Sequence, residues 1–211
     1  SINDIVPIAN HLTEAGVVAV KADSPYKTIE ELVAAAKEKG NLKASTNGNK
    51  ASNHTAAQLL AKSAGFKYKA IPYGGTADQL LALRQGEVDF TCAKVADVAK
   101  LVKGDKPELR VLAVFNTKRD PELPNVPTLG EKGLYPEWYG SARALVAPKG
   151  TKPEVIQYYV EAFKKTMQDP AVIEAHKKAG MALDFKDNKE LGDLIKAQDK
   201  FARDVVNDLY K

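Results

Sequence analysis

The hydrophobic positions change period repeatedly along the chain. Val17-Val18-Ala19-Val20 is a β-branched run that Pro25 closes, and it predicts a buried strand. Thr28-Ile29-Glu30-Glu31 follows as a capping box, a hydroxyl at the helix start answered by a carboxylate three residues on. Ile29, Leu32, Val33 and Ala36 then fall at i, i+3, i+4 and i+7, one face of a helix that Gly40 ends. Residues 42–46 predict a strand, Asn47-Gly48-Asn49 a turn, and Ser52 or Asn53 a cap for a helix reaching about residue 64. Residues 68–71 predict a strand and Pro72-Tyr73-Gly74-Gly75 a turn. Thr76-Ala77-Asp78-Gln79 reads as a second capping box ahead of Leu80, Leu81 and Leu83. Residues 88–92 and 110–115 predict further strands, with a short helix at 95–102 between them. From 116 to 130, Pro121, Pro124 and Pro127 recur every third residue, which prevents a regular helix or central strand and predicts an extended connection. Residues 141–146 predict a strand. Helices follow from Thr151-Lys152-Pro153-Glu154 to about 167, from Asp169-Pro170, and from about 187 to 208; Pro153 and Pro170 stand in a first helical turn, where the missing N–H costs nothing. Strand–helix alternation from 17 to 115, then a helix-rich tail, predicts an α/β protein with a parallel sheet.

Composition narrows the class. A chain of 211 residues is one large domain or two small ones. With 44% hydrophobic and 27% charged residues it is ordinary globular material, not a disordered, collagen-like or coiled-coil chain. No apolar run approaches the roughly 20 residues of a membrane span. The net charge of +4 comes from 31 basic and 27 acidic residues interspersed along the chain. Most of the basic residues are lysines, which lack the bidentate fork of arginine, so no nucleic-acid partner is expected. The lone Cys92 cannot form an internal disulfide and sits in a predicted strand, as a small core hydrophobe does. His11, His54 and His176 share no ligand spacing, and neither a metal nor a cofactor is expected. Asn3 and Asp4 interrupt any apolar run at residue 1, as in a mature exported protein.

Two strand-to-helix turns carry the candidate chemistry. Residues 45–54 offer hydroxyls, the cation Lys50 and then a helix start, whose unpaired N–H groups and partial positive charge suit a carboxylate. Gly48 allows the tight turn. A plain capped turn uses the same residue types. The second turn, residues 72–76, brings two glycines that let backbone approach a ligand and the hydroxyl of Thr76; a simple tight turn reads the same way. His54 just inside the helix start could pair with Ser45 or Ser52 as in a hydrolase, but no G-x-S-x-G elbow or third orienting residue is present. Lys94 follows the 88–92 strand and could face the same cleft. Trp138 and Tyr139 are core or pocket wall.

The order of pieces adds a resemblance. The stretches DIVPIANHLTEAGVVAV (4–20), SPYKTIEELVAAAK (24–37), STNGNKASNH (45–54), IPYGGTADQLLALRQGEVDF (71–90), RVLAVFNTKRDPELPNVPTLGEKGL (110–134) and LVAPKGTKP (145–153) together resemble the extracytoplasmic solute receptors of the tripartite tricarboxylate transporter family, also called Bug receptors. The resemblance implies a periplasmic-binding-protein-like two-lobed fold that closes on a small carboxylate in an interlobe cleft. It also implies a periplasmic protein that delivers the ligand to membrane transporter subunits and catalyses nothing. By position Thr46, Asn49, Ser52 and His54 match the family's first ligand loop, and Gly75 and Thr76 its second. The sequence departs from the family pattern at four places: Lys50 stands for Gly, Ala51 for a hydroxylic residue, Gly74 for Lys, and Ala93-Lys94 for Asp-Asn. Lys50 and Lys94 are therefore expected to add charge to the anion site. The family's opening strand and Gly-rich loop have no counterpart, so residues 25–112 are expected to form a complete second lobe and residues 1–24 with 113–211 an incomplete first lobe. Such a lobe would leave apolar surface and strand edges uncovered, and self-association through it is expected. The other readings are an effector-binding sensory domain of similar form and the Ser/His hydrolase.

Overall fold

The computed structural model describes residues 2–181 and 183–210. After a turn of 3-10 helix the chain enters β1 (Ile5–Lys21), then α1 (Ile29–Lys39), β2 (Lys43–Thr46), α2 (Ser52–Ala64), β3 (Lys69–Pro72), α3 (Thr76–Gln85), β4 (Phe90–Lys94), α4 (Val95–Val98) and β5 (Leu109–Phe115). A long connection leads to β6 (Gly140–Pro148), α5 (Pro153–Met167), α6 (Pro170–Lys178), β7 (Leu183–Lys186) and α7 (Asn188–Phe201), with a π-helical turn after it. The chain divides into two compact units, one from Ala15 to Ser141 and the other from the residues up to Glu14 together with those from Ala142 onward. Sequence reading drew the lobe boundaries at 24/25 and 112/113, whereas the division falls within β1 and β6, the two strands that run from one unit into the other.

In the Ala15–Ser141 unit the strand order is β3-β2-β4-β1-β5. β2 is parallel to β3 and to β4, while β1 is antiparallel to both β4 and β5. The all-parallel expectation is corrected at this one strand. Alternation of strands and helices predicts crossovers, but it cannot say that β1 inserts between two strands far ahead of it in sequence. Helix α1 forms as its pattern dictates: the Thr28 hydroxyl accepts from the Glu31 amide at 3.2 Å, the Glu31 carboxylate accepts from the Thr28 amide at 3.3 Å, and Gly40 ends the helix at φ 67°. One core cluster packs Val17 and Ala19 of β1 against Leu80 and Leu83 of α3, Ala93 of β4 and Val114 of β5. The proline-rich connection is not the extended run that its spacing predicts: Pro121 and Pro124 each take the second position of a turn, closed by the Leu123 amide on the Asp120 carbonyl and the Val126 amide on the Leu123 carbonyl, both at 3.0 Å, and Thr128 then adds a parallel bridge to Val114 on the β5 edge.

Strands β6 and β7 also pair with β1, β7 antiparallel to its first half through Asn10 and Leu12. Sequence reading placed a strand only at 17–20, because Asn10, Thr13 and Glu14 break the apolar run upstream. Tertiary partners meet those groups in part: Asn10 Nδ2 donates to the Asp184 carbonyl at 2.8 Å, and Arg143 donates twice to one Glu14 carboxylate oxygen, at 2.7 and 3.0 Å, while Asn10 Oδ1 and Glu14 Oε1 are buried without a hydrogen-bond partner among the described residues. Strand β7 is likewise not expected from the sequence. The fold also brings His11 and His176 together, their ring centroids 5.6 Å apart, a meeting that linear spacing does not show. Burial, His176 and Arg143 all hold the His11 pKa below its ordinary value. Ile8, Ala9, Ile156 and Val160 form the core of the other unit. Along β6, Arg143 to Leu145 and Val146 are exposed in succession, so both faces of the strand meet solvent.

Candidate functional site

Because β2, β3 and β4 run the same way, their carboxyl ends lie side by side. Thr46 is level with Pro72 and Ser45 with Thr91. The loops entering α2 and α3, and Lys94 at the end of β4, therefore converge on one edge of the sheet, where ligands of open α/β folds bind.

The 47–51 loop makes two left-handed turns, at Gly48 (φ 127°) and at Lys50 (φ 57°). A side chain in that region costs about 1 kcal/mol or more, so Lys50 must be held. Its amide donates to His54 Nδ1 at 2.9 Å, and the Asn53 amide donates to Asn47 Oδ1 at 3.2 Å. Thr46, fully buried, donates from its hydroxyl to the Gly48 carbonyl at 3.2 Å and accepts at its own carbonyl from the Tyr73 amide at 2.9 Å. The two ligand loops are thus tied to each other through Thr46. The amides of Lys50 and Asn53 are already engaged within the loop, which corrects the picture of a helix start with all its donors open.

His54 is buried, and burial holds its pKa below the ordinary histidine value. Nδ1 accepts from a main-chain amide, so the neutral ring carries its proton on Nε2. The Ser45 hydroxyl donates instead to Thr91 Oγ1 at 3.0 Å, and the Ser52 hydroxyl accepts from Lys94 Nζ at 3.4 Å. Neither serine is set as a nucleophile on His54 Nδ1. The Cys92 thiol is wholly buried and its pKa is pushed up to about 12, which keeps it protonated.

Two capping expectations are corrected. Ala51 occupies the cap position of α2, so Ser52 and Asn53 are its first helical residues. Gly75 occupies the cap position of α3, Thr76 is its first helical residue, and no capping box forms. Gln79, the expected partner in that box, turns into the core. Its Nε2 donates to the Cys92 carbonyl at 2.6 Å and to the Thr91 hydroxyl, and its Oε1 accepts from Asn53 Nδ2 at 2.9 Å.

Lys94 is only 4% exposed. Its ammonium donates to Asn53 Oδ1 at 2.6 Å and reaches Ser52 Oγ; the Tyr139 hydroxyl donates to the Ser52 carbonyl at 3.1 Å. Lys94 and the first turn of α2 are thus in direct contact, and a cation added to a helix N-terminus favours an anion. Of the residues singled out from the sequence, Ser52 and Lys94 touch, while Thr46, Lys50 and His54 are joined through the loop. Asn49 and Lys50 are exposed on that loop, and Gly75 and Thr76 open α3. Gln79 and Thr91 are site residues that the sequence does not single out as such, whereas Asn53 reads there as a cap or a ligand donor and Tyr139 as core or pocket wall. Asn53 and Gln79 had been read as caps, and nothing in the linear pattern distinguishes a cap from a buried bridge.

Among the described residues no helix is long and apolar enough to cross a membrane, and no group of three or more His, Cys, Asp or Glu is placed to hold a metal ion.

Comparison with known proteins places the chain in a class of solute-receptor folds. The chain has the fold of a TctC solute-binding protein from Polaromonas, with a TM-score of 0.83 at 27% identity over 99% of this chain and 71% of that one. It has the fold of MatC from Rhodopseudomonas palustris, solved with bound malate, at a TM-score of 0.78, 23% identity, and coverage of 94% and 68%. The description of a tripartite tricarboxylate transporter family receptor matches residues 1–209, and the chain belongs to that family. A Cupriavidus necator relative, described as the UPF0065 protein in the gbd 5' region, is 38% identical over 72% of this chain and 46% of its own length. The chain spans about half the length of the first curated relatives it matches, between 46% and 59%.

Proposed function

We propose that the chain captures a small carboxylate at the N-terminus of α2 and surrenders it, chemically unchanged, to membrane transporter subunits in the periplasm. The observation that carries this reading is the buried Lys94 ammonium seated against the first turn of α2, beside Asn53 and Ser52. Family membership supports it, and so does the malate held by a protein of the same fold. Thr46, Asn49, Lys50, Ser52, His54, Gly75, Thr76 and Lys94 are the residues proposed to line or support the site. The Ala15–Ser141 unit, which contains residues 25–112, is proposed as the ligand-holding lobe.

A thermal-shift screen against mono-, di- and tricarboxylates tests the reading. A ligand present at about 100 times its dissociation constant stabilises by about 2.7 kcal/mol, a readily seen rise in melting temperature. No shift with any carboxylate at millimolar concentration would end it.

Self-association is the second part of the proposal. Leu145 and Val146 on β6 and Tyr158 and Tyr159 on α5 are exposed, and Ile8, Leu145, Val146, Val155 and Tyr159 help line a cavity of about 360 Å³. Apolar surface of this kind on a strand open on both faces favours pairing with a second copy. Light scattering should report a dimer or larger assembly that Leu145→Glu disperses. A monomer at every concentration up to about 100 µM would refute it.

A further inference from the structure

Gln79 is fully buried at the start of α3, and its carboxamide touches three elements at once. Its amide nitrogen serves the Cys92 carbonyl and Thr91 hydroxyl of β4 and lies 3.3 Å from the Ser45 carbonyl of β2. With the nitrogen committed to these acceptors, Oε1 is left to face α2, where it accepts from Asn53 Nδ2 at 2.9 Å. That bond fixes the direction of the Asn53 carboxamide. Its nitrogen end is held by Gln79, so its oxygen end points to Lys94 and accepts the ammonium at 2.6 Å. A reversed Asn53 would set acceptor against acceptor at Gln79 and donor against donor at Lys94. The chain Gln79–Asn53–Lys94 therefore has one stable orientation. Its anchor is the backbone carbonyl of Cys92, two residues before Lys94 on the same strand.

We propose that Gln79 is a positioning residue: acting through Asn53, it fixes where Lys94 holds its positive charge at the head of α2. The consequence for affinity rests on the carboxylate-receptor reading; the placement of the ammonium does not. Each link is a hydrogen bond between side chains at most 4% exposed, so water competes poorly for any of them.

The test uses the whole chain and has two arms. The first needs no ligand. Proton–nitrogen NMR of the lysine side chains should show a slowly exchanging ammonium signal that Lys94→Met removes. Gln79→Met and Asn53→Ala should each abolish that signal or move it to the position of exposed lysines. A signal unchanged in Gln79→Met, with only the melting temperature lowered, would overturn the proposal and leave Gln79 a packing residue. Should Gln79→Met fail to fold, the native chain decides: the Asn53 side-chain amide protons should exchange at least about a hundredfold more slowly than those of exposed Asn188, and equal rates would overturn the relay. The second arm titrates malate. Gln79→Met should weaken binding about tenfold where Lys94 is present, roughly one hydrogen bond's worth, and less than about twofold in a Lys94→Met background, since coupled residues are not additive. An equal loss in both backgrounds would overturn the proposal. A chain that binds no malate would count against the receptor reading for this ligand, and the NMR arm would still decide the positioning.

Discussion

Replacing Lys94 by Met is expected to weaken carboxylate binding about ten- to a hundredfold while leaving the chain folded. A hydrogen bond to a charged group contributes about 1.5–3 kcal/mol, and each 1.4 kcal/mol is a factor of about ten in affinity. Methionine fills nearly the same volume, so the substitution removes charge without opening a cavity. It leaves Asn53 Oδ1 without its ammonium donor, at a cost of about 1–3 kcal/mol. It also removes the desolvation cost of burying an ammonium, and the two nearly offset. Calorimetric titration and thermal melts of the two proteins side by side measure both effects. Because Lys94 is buried, its contribution should also persist at high salt, where exposed charges are screened. Lys50→Met is the comparison: its side chain is on the exposed loop, and its removal should change affinity less than about threefold. Equal affinity in the native and Lys94→Met chains would remove Lys94 from the site.

The parts of the fold that sequence could supply are the ones governed by local chemistry. The Thr28–Glu31 box and the αL glycine at 40 formed as their residue types dictate, because every partner lies within one helical turn. The prolines at 121 and 124 also act locally, but each opens a hydrogen-bonded turn at its second position where the spacing alone suggests an extended run. What escaped was set by partners distant in sequence. The first half of β1 carries Asn10, Thr13 and Glu14, which look like loop residues until Asp184 and Arg143 meet them. The antiparallel insertion of β1 between β4 and β5 has no local signature at all. At the site, hydroxyls, Lys50 and the helix start were recognisable by type, and Lys94 by its place after a strand. Gln79 was misread because a glutamine at the fourth position of a box and a glutamine reaching across a sheet have the same sequence. The choice was made by the Thr91 hydroxyl and Cys92 carbonyl of the interior strand β4, which accept from the Gln79 amide inside the core.

Strand β4 carries both the core and the site, and a core substitution on it should show this. Phe90→Ala is expected to destabilise the Ala15–Ser141 unit by about 3–5 kcal/mol, the usual cost of truncating a buried phenylalanine. Phe90 is fully buried, with its ring edge-to-face against Phe66 and Tyr68, at centroid distances of 6.3 and 5.6 Å. Such aromatic pairs add about 0.5–1.5 kcal/mol each beyond the area they bury. Against a total stability of about 5–15 kcal/mol for an ordinary domain, that is about a fifth of the whole or more. Urea unfolding with hydrogen exchange read at β2 and β4 measures it. A control truncation of exposed Tyr158 should cost less than about 0.5 kcal/mol. A cost below about 1 kcal/mol for Phe90→Ala would mean that Phe66 and Tyr68 collapse into the space, and that the aromatic group does not fix the sheet. If the larger cost is seen, the effect should reach Lys94, because residues 90, 92 and 94 alternate onto one face of β4. The Lys94 ammonium would then be held by a less rigid strand, and carboxylate affinity should fall with stability.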